Sequence, residues 1–400
     1  MFKLIHTSDW HLGQNYYGYD RSEEQRDFLR QLAAIVAQEQ PDALLVSGDI
    51  YHTAAPSSAA VSMYVEGMLD IHKACPGMAI VVIAGNHDSA SRLESDSLLW
   101  RLAGVRVLGG IARDSQGLAD LQRHIIPVTD KGIIAAVPYA HRNSFPKVSD
   151  EDIESGERQR AYFEALLEHV NAGNPDGLPV VLMAHLAVNN SDFTGHDRNM
   201  TMECVEIDAL GQGYDYAALG HIHRPQQVSN HARYCGTPVP VSFDEQCEHS
   251  VSIVTIERHG ALPQVTTTAI KNIRPLHTIP AKDPVDLETA LALVEEQRND
   301  VKNAYIRLNV AVERYLPNGA QERAAKAVNA QQGRFCEIKK TALNTASGPS
   351  RQMTVEEFSR KQPIEVANQY YLEKIGRAMT DDEKAMFNYV QQLVEEENRQ

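Results

Sequence analysis

The sequence predicts an α/β fold, in which a β-sandwich flanked by helices is followed by a small α+β capping domain and a C-terminal helical tail. Three observations support this prediction. Over the first two-thirds of the 400 residues, short apolar runs of strand length alternate with helical patterns, which is typical of a largely parallel core. From about Ser250, two runs of alternating character predict antiparallel strands at a sheet edge. Near Pro275 prolines begin to interrupt the chain, and a shorter mixture of helix and strand follows.

The elements of the first region follow one another in regular order. Residues 21–38 carry apolar side chains at helical spacing, through Phe28, Leu32 and Val36. A second helix is expected at 57–74, where a proline and two serines form a start signal, and a third at 153–170. The expected strands occupy residues 3–7, 43–46, 80–84, 133–137, 180–183 and 216–219, and the two antiparallel strands occupy 251–257 and 264–270.

The chain is therefore expected to have four parts. Residues 1–275 form the large α/β domain, and residues 276–340 form the capping domain, with an amphipathic helix at 286–299 and a strand at 305–312. Residues 341–352 are small and polar, which is typical of a linker. Residues 353–400 form the tail, with helical segments at 363–379 and 381–397.

Charge and cysteine usage limit the class of protein. A net charge of −15 argues against a free-standing nucleic-acid binder, because such proteins usually present a basic surface. The apolar runs are of strand length, too short to span a bilayer. The first residues contain no secretory segment, and the five cysteines lack CxxC spacing, as is typical of reduced thiols. We therefore expect a cytoplasmic protein without a membrane segment.

Polar residues that can bind metals follow five of the expected strands. In open α/β sheets, active sites form at the carboxyl ends of the strands, so these residues should meet at one edge. Seven of them are candidate ligands, strand by strand Asp9 and His11; Asp49; Asn86; His185; and His221 and His223, and His87 directly follows Asn86.

This set of side chains suits metal ions. Carboxylate, imidazole and amide oxygen form a mixed nitrogen and oxygen ligand set that suits Mn, Fe or Zn better than Mg or Ca. Seven ligands are too many for one tetrahedral site, but they suit two ions if one carboxylate bridges them. Two neighbouring ions can clamp the attacking and leaving oxygens of a displacement at phosphorus.

Each of these residues alone has an ordinary structural explanation. A single histidine after a strand is usually a surface or core residue, and glycine, asparagine and aspartate are common in turns. Five such groups, in order and each at a strand end, are not explained by turn chemistry. Together they indicate a binuclear metal site.

The motifs SDWHLG, GDIYH, AGNHD and GHIH, together with the isolated His185, resemble those of the calcineurin-like metallophosphoesterase superfamily. The resemblance covers roughly residues 1–250 and is closest to the DNA-repair nuclease branch. It implies a metallophosphoesterase sandwich and a Mn²⁺-dependent nuclease domain at 1–275, with double-strand exonuclease activity and single-strand or hairpin endonuclease activity in DNA repair and replication.

The resemblance also implies a role for each matching position. The first metal would be held by Asp9, His11, Asp49 and His223. The second would be held by Asp49, Asn86, His185 and His221, with Asp49 as the bridge. His87 would face the scissile phosphate as a catalytic residue, and His52 is a second candidate whose alternative is an exposed loop histidine.

Partners are expected to resolve the conflict between the acidic chain and a DNA substrate. A chain at −15 binds a DNA backbone weakly, so another subunit should hold the DNA. The resemblance implies an ABC-type ATPase with a coiled coil, bound by the helices of 353–400. It also implies a homodimer within a heterotetramer, through helices at 57–74 or 96–102.

Two weaker signals and two other functions are further alternatives. Tyr16, Tyr17 and Tyr19 could meet a base or pack on their own domain, and Arg224 could contact phosphate. The site could instead serve a phosphomonoesterase or nucleotide phosphodiesterase, although GDIYHTAAP and GNHD differ from the GDxVDRG and GNHE of protein phosphatases. A partner-binding scaffold with a vestigial site is the third interpretation, which the intact ligand set disfavours.

Overall fold

The structure, a computed structural model, describes residues 1–149, 154, 156–195, 203–313, 315–342, 363–375 and 377–397. The chain forms two compact units, Met1–Thr341 and Ala342–Gln400. Among the described residues, no helix combines the length and apolar character that a bilayer crossing requires.

The large domain alternates strands and helices along the chain. In chain order it contains β1 (Phe2–Thr7), β2 (Asn15–Tyr16), β3 (Tyr19–Asp20), α1 (Ser22–Glu39), β4 (Ala43–Ser47), α2 (Ser58–Ala74), β5 (Ala79–Ile83), α3 (Ala90–Glu94), α4 (Ser97–Leu102), β6 (Val105–Leu108), β7 (Ile125–Val128), β8 (Gly132–Val137), α5 (Arg158–Ala172), β9 (Val180–His185), β10 (Ala187–Val188), β11 (Cys204–Val205), β12 (Tyr216–Gly220), β13 (Gln226–Ser229), β14 (Ala232–Tyr234), β15 (Ser250–Ile256) and β16 (Gln264–Ala269). Short 3₁₀ helices lie at Leu121–His124, Arg142–Ser144 and Ile207–Leu210.

Two six-stranded sheets form the sandwich. The first has the order β16-β15-β1-β4-β5-β6, and the second has the order β13-β14-β12-β9-β8-β7. In the first sheet β1, β4, β5 and β6 are parallel, and β15 returns antiparallel to β1. In the second sheet β8, β9, β12 and β14 are parallel. The expected α/β fold with a largely parallel core and an antiparallel return is confirmed.

The sheets pack as the inner layers of a four-layer sandwich. Helices α1 and α2 cover the outer face of the first sheet, where Phe28 and Leu32 meet the buried side chains of β4 and β5. Helix α5 covers the outer face of the second sheet through Tyr162 and Leu166. A third apolar cluster, which includes Phe2, fills the space between the sheets. Because both faces of the parallel strands are buried, these strands are almost continuously apolar.

Local sequence sets the ends of the long helices. Helix α1 has Glu23 and Glu24 in its first turn, where the helix dipole favours negative charge, and it ends at Gln40 with a left-handed backbone. Helix α2 begins after Ser57, whose hydroxyl accepts a hydrogen bond from the backbone N–H of Ala60 at 3.2 Å. These ends agree with the start signals in the sequence.

A small domain, residues 276–341, follows the sandwich. It contains β17 (Leu276–Ile279), α6 (Leu287–Glu296), α7 (Arg298–Val301), β18 (Tyr305–Val312), α8 (Ala320–Ala330) and β19 (Arg334–Ala342). The strands form a sheet of order β17-β18-β19, and the helices cover it with a separate apolar core that includes Val294, Leu308 and Val328. This core is separate from the apolar clusters of the sandwich.

Several details differ from the expectations. Helix α5 begins at Arg158 and not at residue 153, because Gly156 and Glu157 form a turn. The helix expected at 286–299 is interrupted at Gln297 and forms α6 and α7. Strands β6, β7, β13 and β14 were not expected, because each is short and contains a polar residue or a proline. The expected linker at 341–352 falls mainly outside the described residues.

The second unit contains α9 (Pro363–Ile375) and α10 (Asp381–Glu397). Thr380 caps α10 reciprocally with Glu383: the backbone N–H of Thr380 donates to Glu383 Oε2 at 2.8 Å, and the backbone N–H of Glu383 donates to Thr380 Oγ1 at 3.3 Å. Arg377 donates to both oxygens of the same carboxylate at 2.7 Å. The two helices expected in the tail are therefore present, with the first ending at Ile375.

Candidate metal centre

The carboxyl ends of β1, β4, β5, β9 and β12 meet at one rim of the sandwich. The backbone N–H of Asp9 donates to the carbonyl of Gly48 at 2.9 Å, and that of His11 donates to the carbonyl of Asp49 at 3.0 Å, which joins the turns after β1 and β4. The backbone N–H of His221, after β12, donates to both carboxylate oxygens of Asp9 at 3.1 and 3.2 Å. The rim brings together all seven residues expected from the sequence as metal ligands.

The backbone at this rim is strained. Asp9, His11, Asp49 and His221 have φ angles of 54°, 46°, 52° and 102°, in or near the left-handed region that side chains other than glycine rarely adopt. Such conformations cost about 1–3 kcal/mol each and persist where the surrounding structure fixes them, often at functional sites. Here they turn four polar side chains inward from the ends of regular strands.

A first cluster consists of Asp9, His11 and His223. One donor atom from each lies within 4.8 Å of the others. The two imidazoles approach closely, with His11 Nε2 3.3 Å from His223 Nε2. His223 Nδ1 lies 3.1 Å from a carboxylate oxygen of Glu245, which can only accept a hydrogen bond. Nδ1 therefore carries the proton, and Nε2 faces into the cluster.

A second cluster consists of Asp49, His185 and His221, also within 4.8 Å. His185 Nδ1 donates to the carbonyl of Ser47 at 2.8 Å, so Nε2 faces the site. Nε2 lies 3.1 Å from Asn86 Oδ1 and 3.4 Å from Asp49 Oδ2. When His185 is neutral, the lone pairs of His185 Nε2, Asn86 Oδ1 and Asp49 Oδ2 face one another. This arrangement requires a proton or a metal ion between these atoms.

The net pKa shifts of the two carboxyl groups are opposite, although burial alone raises both. Burial raises the pKa of Asp9, and the nearby charge of Asp49 adds to the effect. Burial alone would raise the pKa of Asp49 too, but His185, His11 and His87 together hold it well below its usual range. In the part of the chain that the structure describes, no lysine or arginine forms an ion pair with either carboxylate. The clusters therefore hold buried negative charge that a cation would offset.

The imidazole pKa values show the same demand for positive charge. Burial lowers the pKa of His185, but Asp49 and Asp9 raise it overall to about 9. Burial likewise opposes the charged form of His223, and Glu245 and Asp9 raise its pKa. The space beside the Asp49 carboxylate is also limited, because a Cβ at Gly85 would lie 2.1 Å from Asp49 Oδ1. The donor set, its burial and its charge fit two small divalent cations.

His87 and His52 border an open cavity of about 510 Å³ beside these clusters. His87 Nδ1 donates to the carbonyl of His52 at 2.9 Å, and the backbone N–H of His87 donates to Asp49 Oδ1 at 2.9 Å. The His87 ring lies edge-on to His11, with centroids 4.9 Å apart, and is stacked with His52 at 5.8 Å. Burial and the neighbouring His87 lower the pKa of His52. Both candidate imidazoles therefore line the entrance to the clusters.

Sequence reasoning missed two residues that support the site. The Asp88 carboxylate accepts hydrogen bonds from the backbone N–H groups of Ile50, Tyr51 and Gly85 at 3.0, 2.9 and 2.8 Å, and it thereby joins the loops after β4 and β5. Burial raises its pKa to about 6, with Asp49 contributing. Asp88 was visible within GNHD, but Glu245 lies 22 residues beyond His223 and has no motif spacing.

The weaker sequence signals have structural explanations. Tyr16 is buried against Phe243 and Tyr305, and the Tyr19 ring also packs against Tyr305. These tyrosines pack within their own unit and attach the small domain to the loop after β1. Arg224 forms an ion pair with Asp192, with Nε 3.2 Å from a carboxylate oxygen.

Comparison with known proteins gives consistent matches. The family model described as calcineurin-like phosphoesterase matches residues 2–225. The SbcD subunit of nuclease SbcCD from Rhodobacter capsulatus is 32% identical over 313 residues, which cover 73% of this chain and 75% of that protein. The proteins of the same name from Escherichia coli K12 and Bacillus subtilis are each 28% identical; the first alignment covers 78% of both chains, and the second covers 61% of this chain and 63% of the relative. The resemblance inferred from the motifs is confirmed.

Proposed function

The chain belongs to the calcineurin-like phosphoesterase family, and from this membership we propose that it is a DNA nuclease that hydrolyses phosphodiester bonds with two Mn²⁺ ions. The observation that carries the proposal is the convergence of two clusters of nitrogen and oxygen donors beside an open cavity. Relatives named as nucleases, which this chain matches over most of their length, support a DNA substrate.

The proposed ligands divide between the two clusters. One ion would be held by Asp9, His11, Asp49 and His223, and the other by Asp49, Asn86, His185 and His221. The position of Asp49 supports its bridging role, since its Oδ2 lies 3.8 Å from His11 Nε2 and 3.4 Å from His185 Nε2. Divalent ions bound there would polarise the phosphoryl oxygens and lower the pKa of a water molecule.

His87 is the proposed catalytic residue of the protein itself. Its Nδ1 is held by the carbonyl of His52, so the ring is oriented and Nε2 can meet the substrate. When protonated, Nε2 would donate a hydrogen bond to a phosphoryl or leaving oxygen and stabilise the charge that develops there. His52 lines the same cavity and would be a second contact to the phosphate.

The substrate class is tested with plasmid DNA, bis-p-nitrophenyl phosphate and p-nitrophenyl phosphate in the presence of Mn²⁺. We expect cleavage of DNA and of the small diester, with much slower hydrolysis of the monoester. Efficient monoester hydrolysis with intact DNA would favour the phosphomonoesterase. Absence of all three activities in the Mn²⁺-loaded protein would favour the partner-binding scaffold with a vestigial site. Linear, single-stranded and hairpin DNA then distinguish the proposed exonuclease and endonuclease activities.

The tail is the proposed docking element for an ABC-type ATPase with a coiled coil. Helix α10 presents Met386 and Val390 four residues apart, with exposures of 66% and 50%, and α9 presents Leu372 at 51%. An apolar stripe of this kind suits a groove or a helix of a partner. In the SbcCD complex for which the relatives are named, such a partner would add basic surface to an acidic chain.

A truncation after Lys340 tests the tail. The shortened protein should keep Mn²⁺-dependent cleavage of the small diester, because the rim lies within residues 1–341. It should lose co-purification with the ATPase and ATP-stimulated DNA cleavage. A matched Met386→Glu/Val390→Glu variant of the full chain should have the same phenotype. Full recovery of the ATPase with the truncated protein would show that the tail is not the docking element.

We also propose a homodimer within a heterotetramer. Helix α4 exposes Leu98, Leu99 and Leu102 by 73%, 68% and 88%, and α2 exposes Leu69 by 41%. Exposed apolar side chains on neighbouring helices are typical of a subunit interface, and two-fold dimers are the commonest assembly. A monomer in light scattering at micromolar concentration would contradict the dimer.

The cellular setting follows from the same proposal. The structure contains five free cysteines, which supports a reducing compartment and hence the cytoplasm. The expected roles in DNA repair and in processing replication-associated hairpins would follow from the nuclease activity.

A further inference from the structure

A second cavity, of about 750 Å³, lies at the edge of the sandwich where β6 and β7 are the outermost strands of the two sheets. Helices α3 and α4, strand β6 and the segment 110–113 form one side, and β7 with the residues before it forms the other. We call this cavity the arginine groove. Its charged residues are Glu94, Arg101, Arg106, Arg113 and Arg123.

The arginine groove is basic in an acidic chain. Four exposed arginines line it against a single glutamate, although the chain as a whole carries −15. The Glu94 carboxylate accepts a hydrogen bond from the backbone N–H of Gly109 at 2.8 Å, so it is engaged with the backbone. The Arg113 guanidinium donates to the carbonyl of Ser144 at 2.7 Å and is not neutralised there. Within the described ranges, none of the four arginines forms an ion pair with a carboxylate.

The chemistry of this groove fits the phosphates of a polynucleotide. A guanidinium is planar and can donate two parallel hydrogen bonds to one phosphate. Four of them around one cavity can meet several phosphates, which suits a polynucleotide more than one small anion. The negative charge elsewhere on the chain would repel a polyanion, so the groove is the favourable approach.

The arginine groove begins close to the metal centre. Ala90 lines the groove and His87 lines the cavity of the metal centre, and both follow β5. Three residues of chain span at most about 11 Å. Consecutive nucleotides of one strand of a duplex rise about 3.4 Å, so this separation corresponds to about three nucleotides. A strand with one phosphodiester at the metals would reach the groove within a few nucleotides.

We propose that the arginine groove holds the sugar–phosphate backbone of the DNA strand whose phosphodiester lies at the metal centre. This inference rests on the proposed nuclease function. It assigns part of the DNA contact to this chain itself, in addition to any surface that a partner supplies.

The test uses the full chain with the substitutions Arg106→Gln and Arg123→Gln. The matched control carries Arg160→Gln and Arg258→Gln, which remove two exposed arginines outside the groove. DNA binding is measured by fluorescence anisotropy over a series of salt concentrations, and cleavage is measured on DNA and on bis-p-nitrophenyl phosphate. Each phosphate contact contributes about 0.7–0.9 to the salt slope, so the groove variant should lose about 1.4–1.8 from it. Its KM for DNA should rise by roughly tenfold or more, with unchanged cleavage of the small diester.

The outcomes separate the groove from the proposed function. If the parent cleaves DNA and the groove variant has the salt slope and KM of the control, the groove does not hold DNA. The same holds if the variant loses only the recovery of a protein partner, since the groove then binds an acidic protein surface. If the parent fails to cleave any DNA, the nuclease function is wrong, and a salt slope unchanged from the control would overturn the groove separately.

A different observation carries a second inference, about Glu245. Its side chain is fully buried, and its two oxygens have separate partners. One lies 3.1 Å from His223 Nδ1, and the other accepts from Thr237 Oγ1 at 2.7 Å and from the backbone N–H of Val241 at 3.2 Å. The Thr237 carbonyl in turn lies 2.7 Å from His249 Nδ1. The carboxylate is therefore held by a network before it meets His223.

We infer that Glu245 is a positioning residue that fixes the ring and the protonated nitrogen of His223. A carboxylate behind a metal-binding histidine typically improves metal affinity by about 10–100-fold, because it orients the ring and raises its basicity. This carboxylate belongs to the loop before β15, so it also ties that loop to the rim.

Calorimetric titration with Mn²⁺ tests this role without an activity assay. Glu245→Ala should weaken the site that contains His223 by about 10–100-fold, and Glu245→Gln, which keeps an acceptor, should recover part of the loss. In a His223→Ala background, Glu245→Gln should have no further effect on Mn²⁺ affinity. An equal loss in both backgrounds, or parent affinity in folded Glu245→Gln and Glu245→Ala, would overturn the inference.

Discussion

At the carboxyl rim of the sandwich, four of the seven proposed ligands have positive φ angles, and two aspartates and three histidines are nearly fully buried. Among the described residues of the small domain, the non-glycine residues with positive φ are Asn303 and Gln332, both in exposed turns, and the core is a cluster of aliphatic side chains. Both regions belong to the same compact unit. The difference shows that, among the described residues, backbone strain and buried carboxylates without a lysine or arginine partner are concentrated where chemistry is proposed. In the small domain the buried Arg307 is paired with Asp244, and the rest of the core is apolar. Substitutions at the rim should therefore lower activity, and substitutions in the core of the small domain should lower stability.

We expect the most severe loss of activity from a substitution at Asp49. Asp49→Ala removes the carboxylate that faces both clusters, so the variant should lose tight binding of both ions. Its DNA cleavage should fall by more than the roughly 10²–10³-fold typical of losing one catalytic donor. The fold should persist, because the apolar clusters that stabilise the two sheets are unchanged. Mn²⁺ binding by calorimetry and a thermal melt check this, with Asp176→Ala as an exposed control. If the variant still binds two ions tightly, Asp49 does not bridge them.

A smaller loss of activity is expected from a substitution at His87, because we propose that this histidine contacts the phosphate and does not bind the ions. His87→Ala should bind Mn²⁺ like the parent and melt at a similar temperature, while kcat falls by about 10²–10³-fold. His169→Ala, at an exposed histidine on α5, is the matched control. If His87→Ala loses both ions, the histidine is a ligand, and the distinction between metal-binding and catalytic imidazoles fails.

A substitution in the core of the small domain should lower stability and leave activity unchanged. Leu308 is fully buried in its core, and Leu308→Ala should lower the free energy of unfolding by about 2–5 kcal/mol. Cleavage of the small diester per folded molecule and Mn²⁺ affinity should not change. Urea denaturation measures the first effect, and Leu262→Ala at an exposed leucine is the control. A parallel loss of Mn²⁺ affinity would show that the contact of Tyr305 with Tyr16 transmits the strain to the rim.

A more modest, pH-dependent effect concerns His6, which lies on β1 beneath the rim and near Tyr216, with 2.9 Å between Nδ1 and the hydroxyl. Burial lowers its pKa to about 3. Because this folded-state value is below the ordinary 6.5, the unfolded chain takes up the proton first, and stability falls as pH drops below 6.5. The loss should be about 1 kcal/mol at about pH 6 and about 2 kcal/mol at about pH 5. Unfolding of His6→Asn against pH should show a shallower decline; equal slopes would contradict the assignment.

Much of the sandwich and of the rim could be predicted because the signals are local. The apolar runs of β1, β4, β5, β9 and β12 are buried on both faces, and each is followed within a few residues by a proposed ligand. Parallel strands bring such residues to one edge without any knowledge of the contacts. The small domain was less well predicted, since α8 and β19 have partly polar sequences whose burial depends on neighbours distant in the chain.

Adjacent residues sufficed to define the proposed ligand set, its order and its place at the strand ends, because motif spacing and strand periodicity are local properties of the chain. The residues that support and extend the site emerged from the three-dimensional packing. Glu245 reaches His223 across 22 residues, the Asp88 carboxylate joins two loops, and four arginines from separate elements share one groove. None of these contacts follows from local spacing, since each depends on how the two sheets and their loops pack against one another.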